Sequence, residues 1–209
     1  MQPGDAAPAR RVVAVFDFDG TITRRDTLAP YLARVRGRVP FALATAREAA
    51  AFAGWALGRC DIDAVKRRMI LRLLAGVPVE IARSAARAHA RAVERDFRRA
   101  ALERICWHRA QGHRLVLASA GLDLYLEPVA RALGFDDLLC SRVAVRDGRC
   151  TGALDGPDCT GVEKRRRLEA RVGDLAAIEL HAYGDSAGDA ALLAAAAHAH
   201  WRPFRRTGP

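Results

Sequence analysis

Lysine is nearly absent from this chain. Of the 34 basic residues among 209, all but Lys66 and Lys164 are arginine, and the formal net charge is +10 at pH 7. Such a charge can attract nucleic acid or an anionic membrane surface. However, the arginines are largely interleaved with acids, and aromatic residues make up only 6% of the chain, whereas single-strand binders stack bases on aromatic side chains. We expect no dedicated nucleic-acid partner, and peripheral membrane contact stays open.

A CxxC motif is also lacking. The five cysteines are an odd number, which argues against a disulfide framework and against a structural zinc site. We therefore expect reduced thiols and a cytoplasmic location.

Long apolar runs are missing as well, and we expect no secretory leader. Residues 1–9 are short, polar and proline-containing, and we interpret them as a loose tail. The most apolar stretch, residues 39–58, is interrupted by Arg47 and Glu48 and lacks the ~18 unbroken apolar residues of a membrane helix. No repeat is visible, and the length predicts one domain, or one domain carrying an insert.

The most informative stretch that is present is VVAVFDFDGTIT, residues 12–23. Its five apolar residues predict a buried strand, and Asp17 and Asp19 follow directly. Buried carboxylates need neutralisation, and a divalent cation with oxygen ligands provides it. Gly20 permits a sharp turn, and Thr21 adds a hydroxyl. Alone, this pattern also fits an Asx-rich turn or the metal-binding DxD of a nucleotide-sugar transferase.

Residues 24–112 are rich in Ala, Arg and Leu and contain no convincing strand. We predict helices over residues 26–35, 41–57 and 61–74, the last with Asp61 as an N-cap candidate, and a long helical segment over residues 79–110 that is broken at most once. We interpret this block as a helical cap that covers the site and selects what enters.

A second strand, residues 114–118, is predicted to end at Ser119-Ala120-Gly121 and to pass into a helix. A hydroxyl and free N–H groups at a helix start can bind an anion, although the same pattern occurs in ordinary strand–helix turns. Further on, we predict a strand over 138–141, a β-hairpin that turns at Asp147-Gly148, and a strand over 178–183.

Two further motifs follow. Thr160 and Glu163 match a capping box, which places Lys164 in the first helical turn, where a cation is unfavourable unless an anion faces it. The strand over 178–183 is followed by Gly184-Asp185-Ser186-Ala187-Gly188-Asp189, in which Asp189 could also be a simple N-cap. His198 and His200, near a possible last strand, have no evident partners for a metal site.

These motifs can meet at one place. Strands separated by helices predict a parallel α/β sheet, and ligands of such sheets gather at the carboxyl ends of the strands. The carboxylates suit Mg²⁺, while Lys164 and the N–H groups suit phosphate. A carboxylate is also an established nucleophile toward phosphoryl groups.

In order and spacing, these motifs resemble the haloacid dehalogenase (HAD) superfamily of phosphotransferases. The helical insert between the first and second motifs is similar to that of subclass IB, the phosphoserine-phosphatase-like branch. The resemblance implies a Rossmann-like parallel core, residues 12–23 and 113–202, with an inserted all-helical cap, residues 24–112.

The resemblance also implies roles for single residues. Asp17 would attack phosphorus and form an aspartyl-phosphate, and Asp19 would protonate the leaving oxygen and then activate water. Mg²⁺ would be held by Asp17, the backbone carbonyl of Asp19, and Asp185, with Asp189 in support. The phosphoryl oxygens would be bound by a further set: Thr21, Ser119, Ala120, Gly121 and Lys164.

The expected activity is that of a Mg²⁺-dependent phosphatase. The substrate would be a small molecule similar to phosphoserine, which Asp26 would help to bind, or the headgroup phosphate of a phospholipid, since the positive charge and residues 39–58 suit an anionic lipid surface. Two alternatives stay open: a phosphotransferase that uses an acceptor alcohol, and a basic protein that only binds nucleic acid or membranes.

Overall fold

In a computed structural model of the chain, residues 11–59 and 61–205 are described. The tail predicted at residues 1–9, Cys60 and residues 206–209 lie outside these ranges. Cys106, Cys140, Cys150 and Cys159 are free thiols.

The core is a five-stranded parallel sheet with the strand order β3-β2-β1-β6-β7. The strands are β1 (Val12–Phe16), β2 (Arg114–Leu122), β3 (Asp137–Ser141), β6 (Glu179–Gly184) and β7 (His198–Trp201). Because β1 lies between β2 and β6 and is covered on both faces, it consists of unbroken apolar residues. The predicted α/β Rossmann-like core is confirmed.

Helices cover both faces of this sheet. One face packs aliphatic side chains such as Val15, Val116 and Leu180 against α8 (Gly161–Val172) and α9 (Ala190–Ala194). The other face is covered by α6 (Arg99–Ala110) and α7 (Asp123–Leu133). These layers leave the carboxyl ends of the strands as the place where loops from several elements meet.

The chain between β1 and β2 is helical. It forms α1 (Leu28–Arg36), α2 (Arg38–Arg47), α3 (Ala49–Ala56), α4 (Ile62–Leu74), α5 (Val79–Val93) and then α6. Asp61 caps α4 as predicted, since its side chain accepts a hydrogen bond from the Asp63 N–H. The predicted continuous helix over 41–57 is wrong because the chain breaks at Glu48, whose buried carboxylate pairs with Arg68 and Arg72 of α4 at 2.6 and 3.0 Å.

The long segment over 79–110 is broken once, at a short turn (Glu94–Asp96) between α5 and α6. Arg98 N–H then donates to Ile22 O at 2.8 Å, and α6 packs on β2. The division at residue 112 stays a prediction. We propose that the cap ends near Arg98, because α6 lies against the sheet.

A β-hairpin from the second half of the chain joins the cap. It consists of β4 (Val143–Arg146) and β5 (Arg149–Leu154). It turns at Asp147 and Gly148, both with positive φ, as predicted. Its backbone exchanges hydrogen bonds with the link between α4 and α5: Gly76 N–H donates to Cys150 O, and Cys150 N–H donates to Val77 O. The helices of the cap therefore rest on a β-hairpin in addition to packing on one another.

The second strand is longer than predicted. β2 does not end at Ala118 but continues through Ser119, Ala120 and Gly121 to Leu122, with an irregularity in its pairing with β3 after Ser119. Within the described ranges, none of the helices combines the length and the apolar character that crossing a bilayer requires.

Candidate active site

The loop after β1 places Asp17 at the carboxyl end of the central strand. Asp17 N–H donates to Tyr183 O of β6 at 2.9 Å, and its side chain is buried. Gly20, with φ of +79°, is the turn that the sequence predicted; a Cβ there would lie 2.3 Å from Asp185 Oδ2. Only glycine lets the carboxylate of Asp185 lie this close to the first loop.

Lys164 lies between two carboxylates at the centre of the site. Its Nζ donates to Asp17 Oδ1 at 2.7 Å and to Asp189 Oδ1 at 2.5 Å, and all three side chains are buried. Burial alone would lower the pKa of Lys164, but Asp17 and Asp189 together raise it above its ordinary value. The ammonium is therefore a fixed positive charge at the carboxyl end of the sheet.

Asp17 has an unusual protonation equilibrium in the absence of metal. Burial raises the pKa of its carboxyl group from 3.8 to about 6, against the lowering effect of Lys164 and with a further increase from Asp189. A divalent cation would lower it again, because an adjacent positive charge favours the ionised form.

Asp189 organises the loop after β6. Its Oδ2 accepts hydrogen bonds from Asp185 N–H at 3.0 Å and from the Ser186 N–H and hydroxyl at 3.1 Å, which forms a capping box with Ser186. Gly184 makes room for it, since a Cβ at that position would lie 2.6 Å from Asp189 Cβ. Asp189 is thus more than an N-cap, because its other oxygen binds Lys164.

Three carboxylates at this site could hold a cation. One oxygen each from Asp17, Asp185 and Asp189 lies within 4.8 Å of the others. Hard divalent ions such as Mg²⁺ prefer an all-oxygen donor set of this kind. This grouping fits a metal held by Asp17 and Asp185, with Asp189 close by; the individual ligand roles, including that of the Asp19 carbonyl, stay predictions.

Asp19 is held by the segment that leads into the cap. Its Oδ1 accepts from the Thr27 N–H at 2.9 Å and from the Thr27 hydroxyl at 2.7 Å. Burial, and then the charge of Asp26, raise the pKa of the Asp19 carboxyl well above its ordinary value, so this group readily holds a proton. Asp26 itself accepts from the Ala29 N–H at the start of α1 at 3.1 Å.

In the Ser119-Ala120-Gly121 segment, one of the groups predicted to bind an anion already has a hydrogen-bond partner. Gly121 N–H donates to Ser119 Oγ at 3.0 Å, so the expected free N–H at Gly121 is engaged in this structure. By contrast, Thr21 Oγ1 is buried and has no hydrogen-bond partner among the described residues. Buried hydroxyl groups are rarely left unsatisfied, and a ligand would supply the missing partner. The phosphate-binding roles of these residues stay predictions.

One predicted capping box does not form. Thr160 is the N-cap residue of α8, as predicted, but its side chain makes no capping hydrogen bond. Glu163 pairs instead with Arg166 and Arg167, each at 2.7 Å. The helix start lacks the reciprocal capping bonds, but Lys164 still lies in its first turn.

Residues from other parts of the chain also reach the site, and the sequence did not reveal them. Lys66 of α4 donates to Ala120 O at 2.5 Å and to the two Asp158 oxygens at 2.9 and 2.8 Å. Arg205 contacts Asp185 Oδ2 at 2.5 Å. The scarcity of lysine was the one signal that could have singled out Lys66.

The histidines need one correction. Glu179, His181 and His198 each offer a ligand atom within 4.8 Å of the others, so the view that no potential ligand set includes His198 is wrong. His200 stacks on Tyr183 with 4.3 Å between ring centroids. The group of Glu179, His181 and His198 lies away from the acidic residues that follow β1 and β6.

The chain was compared with known proteins. Residues 14–194 match the family described as haloacid dehalogenase-like hydrolase. Protein CicA of Caulobacter vibrioides is 32% identical over 197 residues, covering 93% of this chain and 87% of the relative. A probable phosphatase of Mycobacterium tuberculosis is 31% identical, covering 94% of this chain and 70% of the relative.

A solved structure has a similar fold. The substrate-bound complex of a phosphoserine phosphatase superposes with a TM-score of 0.62 and 22% identity, covering 90% of this chain and 83% of that chain.

Proposed function

This chain belongs to the haloacid dehalogenase-like hydrolase family, and from that premise we propose that it is a phosphatase that hydrolyses a phosphomonoester through an aspartyl-phosphate on Asp17. The observation that carries the proposal is the buried contact of Lys164 with both Asp17 and Asp189, beside Asp185. A lysine fixed between carboxylates at the end of a parallel sheet suits a phosphoryl group that approaches Asp17.

The proposed reaction has two steps. In the first, an oxygen of Asp17 attacks phosphorus, the ester P–O bond breaks, and Asp19 donates its proton to the leaving alkoxide. In the second, Asp19 takes a proton from water, the water oxygen attacks phosphorus, and the bond to Asp17 breaks to release inorganic phosphate. The raised pKa of Asp19 supports its role as the acid.

The remaining groups hold the phosphoryl oxygens and a cation. Lys164, Ser119 and Thr21 lie in the loops that meet at this end of the sheet and would bind phosphate together with the Ala120 and Gly121 backbone. Asp17 and Asp185 would hold the cation, for which we propose Mg²⁺. When bound, it supplies positive charge that stabilises the transition state.

For the substrate, we propose a compound similar to phosphoserine or a phospholipid headgroup phosphate. A cavity of about 520 Å³ is lined by Asp26, Thr27, Arg34 and His89, among others, and Thr27 is hydrogen-bonded to Asp19. The carboxylate and the guanidinium could meet an amino group and an anionic group. A cytoplasmic location fits the free thiols of the described residues.

The test is phosphate release with Mg²⁺ from phosphoserine, from micellar phosphatidylglycerophosphate and from an aryl phosphate. We expect Asp17→Asn to abolish turnover of every substrate, while Asp155→Asn, an exposed loop substitution with the same chemical change, leaves it intact. Retained turnover in Asp17→Asn would refute the mechanism. Transfer of phosphate to an added alcohol in place of water would reassign the protein as a phosphotransferase.

A further inference from the structure

The cap presents an exposed apolar surface. Val39 and Leu43 of α2, Trp55 of α3 and Leu57 just after α3 are exposed by 71%, 54%, 49% and 67%. We call these four side chains the α2–α3 face. In α3, every residue of which the structure describes, not one side chain is buried, although its sequence is AAAFAGWA.

The same two helices are apolar on their inner side as well. Ala44 is buried, and Phe41 and Phe52 pack against the hydrophobic core while remaining partly exposed. A helix that is apolar on all sides is normally covered on all sides. The inner side is covered by the rest of the cap, whereas the α2–α3 face is not covered by any described residue.

The charges along α2 and α3 are mostly positive, and the nearest exposed acid, Asp61, follows the segment at the start of α4. Residues 28–60 contain five arginines and a single acid, Glu48. Glu48 is buried and is already neutralised by Arg68 and Arg72. Arg36, Arg38, Arg47 and Arg59 are exposed and form no salt bridge within residues 11–59 and 61–205, so the segment that carries the α2–α3 face also carries guanidinium groups without an acidic partner among the described residues.

From this arrangement we propose that the α2–α3 face docks on the surface of an anionic phospholipid bilayer. Exposed Val, Leu and Trp side chains would enter the interfacial region, and the arginines would contact lipid phosphates. Tryptophan suits this depth because its ring is apolar and its N–H is polar.

The charge pattern favours a lipid surface over a second copy of the chain. Two α2–α3 faces in contact would bring the five arginines of each copy together, whereas the exposed Asp61 at the end of this segment could neutralise at most one of them in each copy. Like charges across an interface oppose association. The proposal goes beyond the proposed function, because none of the four side chains belongs to the group of Asp17, Lys164 and Asp185.

The test is flotation of the full chain with vesicles of phosphatidylglycerol and phosphatidylcholine in equal parts, and with vesicles of phosphatidylcholine alone. We expect the wild type to float with the anionic vesicles and to be released by high salt, because salt screens the arginine–phosphate attraction. Val39→Glu and Leu57→Glu should each weaken partition by about tenfold, because each replaces apolar contact by charge repulsion.

Val162→Glu is the matched control, since Val162 is 74% exposed and lies outside the cap, in α8. We expect it to change partition by less than about twofold. Circular dichroism and melting curves verify that all variants fold, and turnover of a soluble aryl phosphate should be the same in all three, so failure here leaves the phosphatase proposal standing.

Three results would overturn the proposal. They are equal binding to neutral vesicles, equal weakening by Val162→Glu, and a dimer in sedimentation that Val39→Glu dissociates, which would assign the face to a second copy.

Discussion

Lys164 and Lys66, the two lysines of the chain, hold together two different regions of the molecule. In the core, Lys164 lies between Asp17 and Asp189, both buried and both in loops at the end of the sheet. At the boundary with the cap, Lys66 of α4 reaches Asp158 and the Ala120 carbonyl of the core. Lys164 neutralises carboxylates of the site, and Lys66 connects the cap to the core beside the site.

The two lysines differ in which carboxylates lose a positively charged partner when the ammonium is removed. Without Lys164, two carboxylates would share a buried space with no positive charge. Without Lys66, Asp158 would keep the Ser141 hydroxyl as a hydrogen-bond partner, and the cap would lose a polar contact with the core. Similar side-chain chemistry therefore organises the proposed active site in one region and the contact between cap and core in the other.

The largest expected effect is on catalytic activity, and it distinguishes Lys164 from Lys66. Lys164→Met should lower kcat for phosphate release by about 10²–10³-fold, since it removes a fixed charge from the reacting centre. Lys66→Met should change kcat by less than about tenfold and act mainly on KM. Steady-state kinetics of both variants with an aryl phosphate check this, and equal losses in kcat would erase the distinction.

The next effect concerns stability. Lys66→Met should lower the free energy of unfolding by about 3 kcal/mol, because it leaves Asp158 buried without its ion-pair partner. Arg99→Met is the control; its ion pair with Glu103 is exposed, and its loss should be below about 0.5 kcal/mol. Urea denaturation measures both. A loss as small as that of the control would mean that Lys66 does not fasten the cap.

A third test uses pH and metal together. Since the metal-free pKa of Asp17 is raised to about 6, protons compete with a cation for this carboxylate below that pH. Mg²⁺ affinity should therefore fall as the pH drops through about 6, by up to about tenfold per pH unit. Calorimetric titration on either side of that pH measures it, and Lys66→Met should show the same dependence. A flat profile would remove Asp17 from the metal site.

The smallest expected effect involves Asp26, which lies in the segment between the two regions. Asp26→Asn should raise KM for phosphoserine by about two- to fivefold, through loss of an exposed charge contact, and leave KM for an aryl phosphate unchanged. A parallel rise for both substrates would indicate a change in the start of α1 instead of a lost substrate contact.

The comparison of Lys164 with Lys66 also shows which contacts can be predicted from a sequence. Asp17, Lys164 and Asp185 stand at the ends of strands or in the first turn of a helix, where short patterns predict both the element and its position in a parallel sheet. The parallel sheet and the largely helical nature of residues 24–112 followed from such local patterns, whereas the order of the strands was not predicted.

Other contacts depend on distant partners and could not be predicted in this way. Lys66 meets Asp158 across 92 residues, and Glu48, at the break between α2 and α3, is buried and pairs with two arginines of α4. Thr160 and Glu163 fit a capping box locally, yet Glu163 binds Arg166 and Arg167 instead. In each case a pairing of charges that the local pattern did not indicate is present in the fold.

The burial of both lysines has a consequence for covalent labelling. Their side chains are only 13% and 3% exposed, and protonated amines in ion pairs are poor nucleophiles. Reagents that acylate amines would therefore react slowly with both lysines and leave the guanidinium groups unmodified, and below about pH 12 those groups keep their charge. If α4 separates from the core, Lys66 becomes reactive. The rate at which Lys66 is acylated therefore measures how often the cap opens.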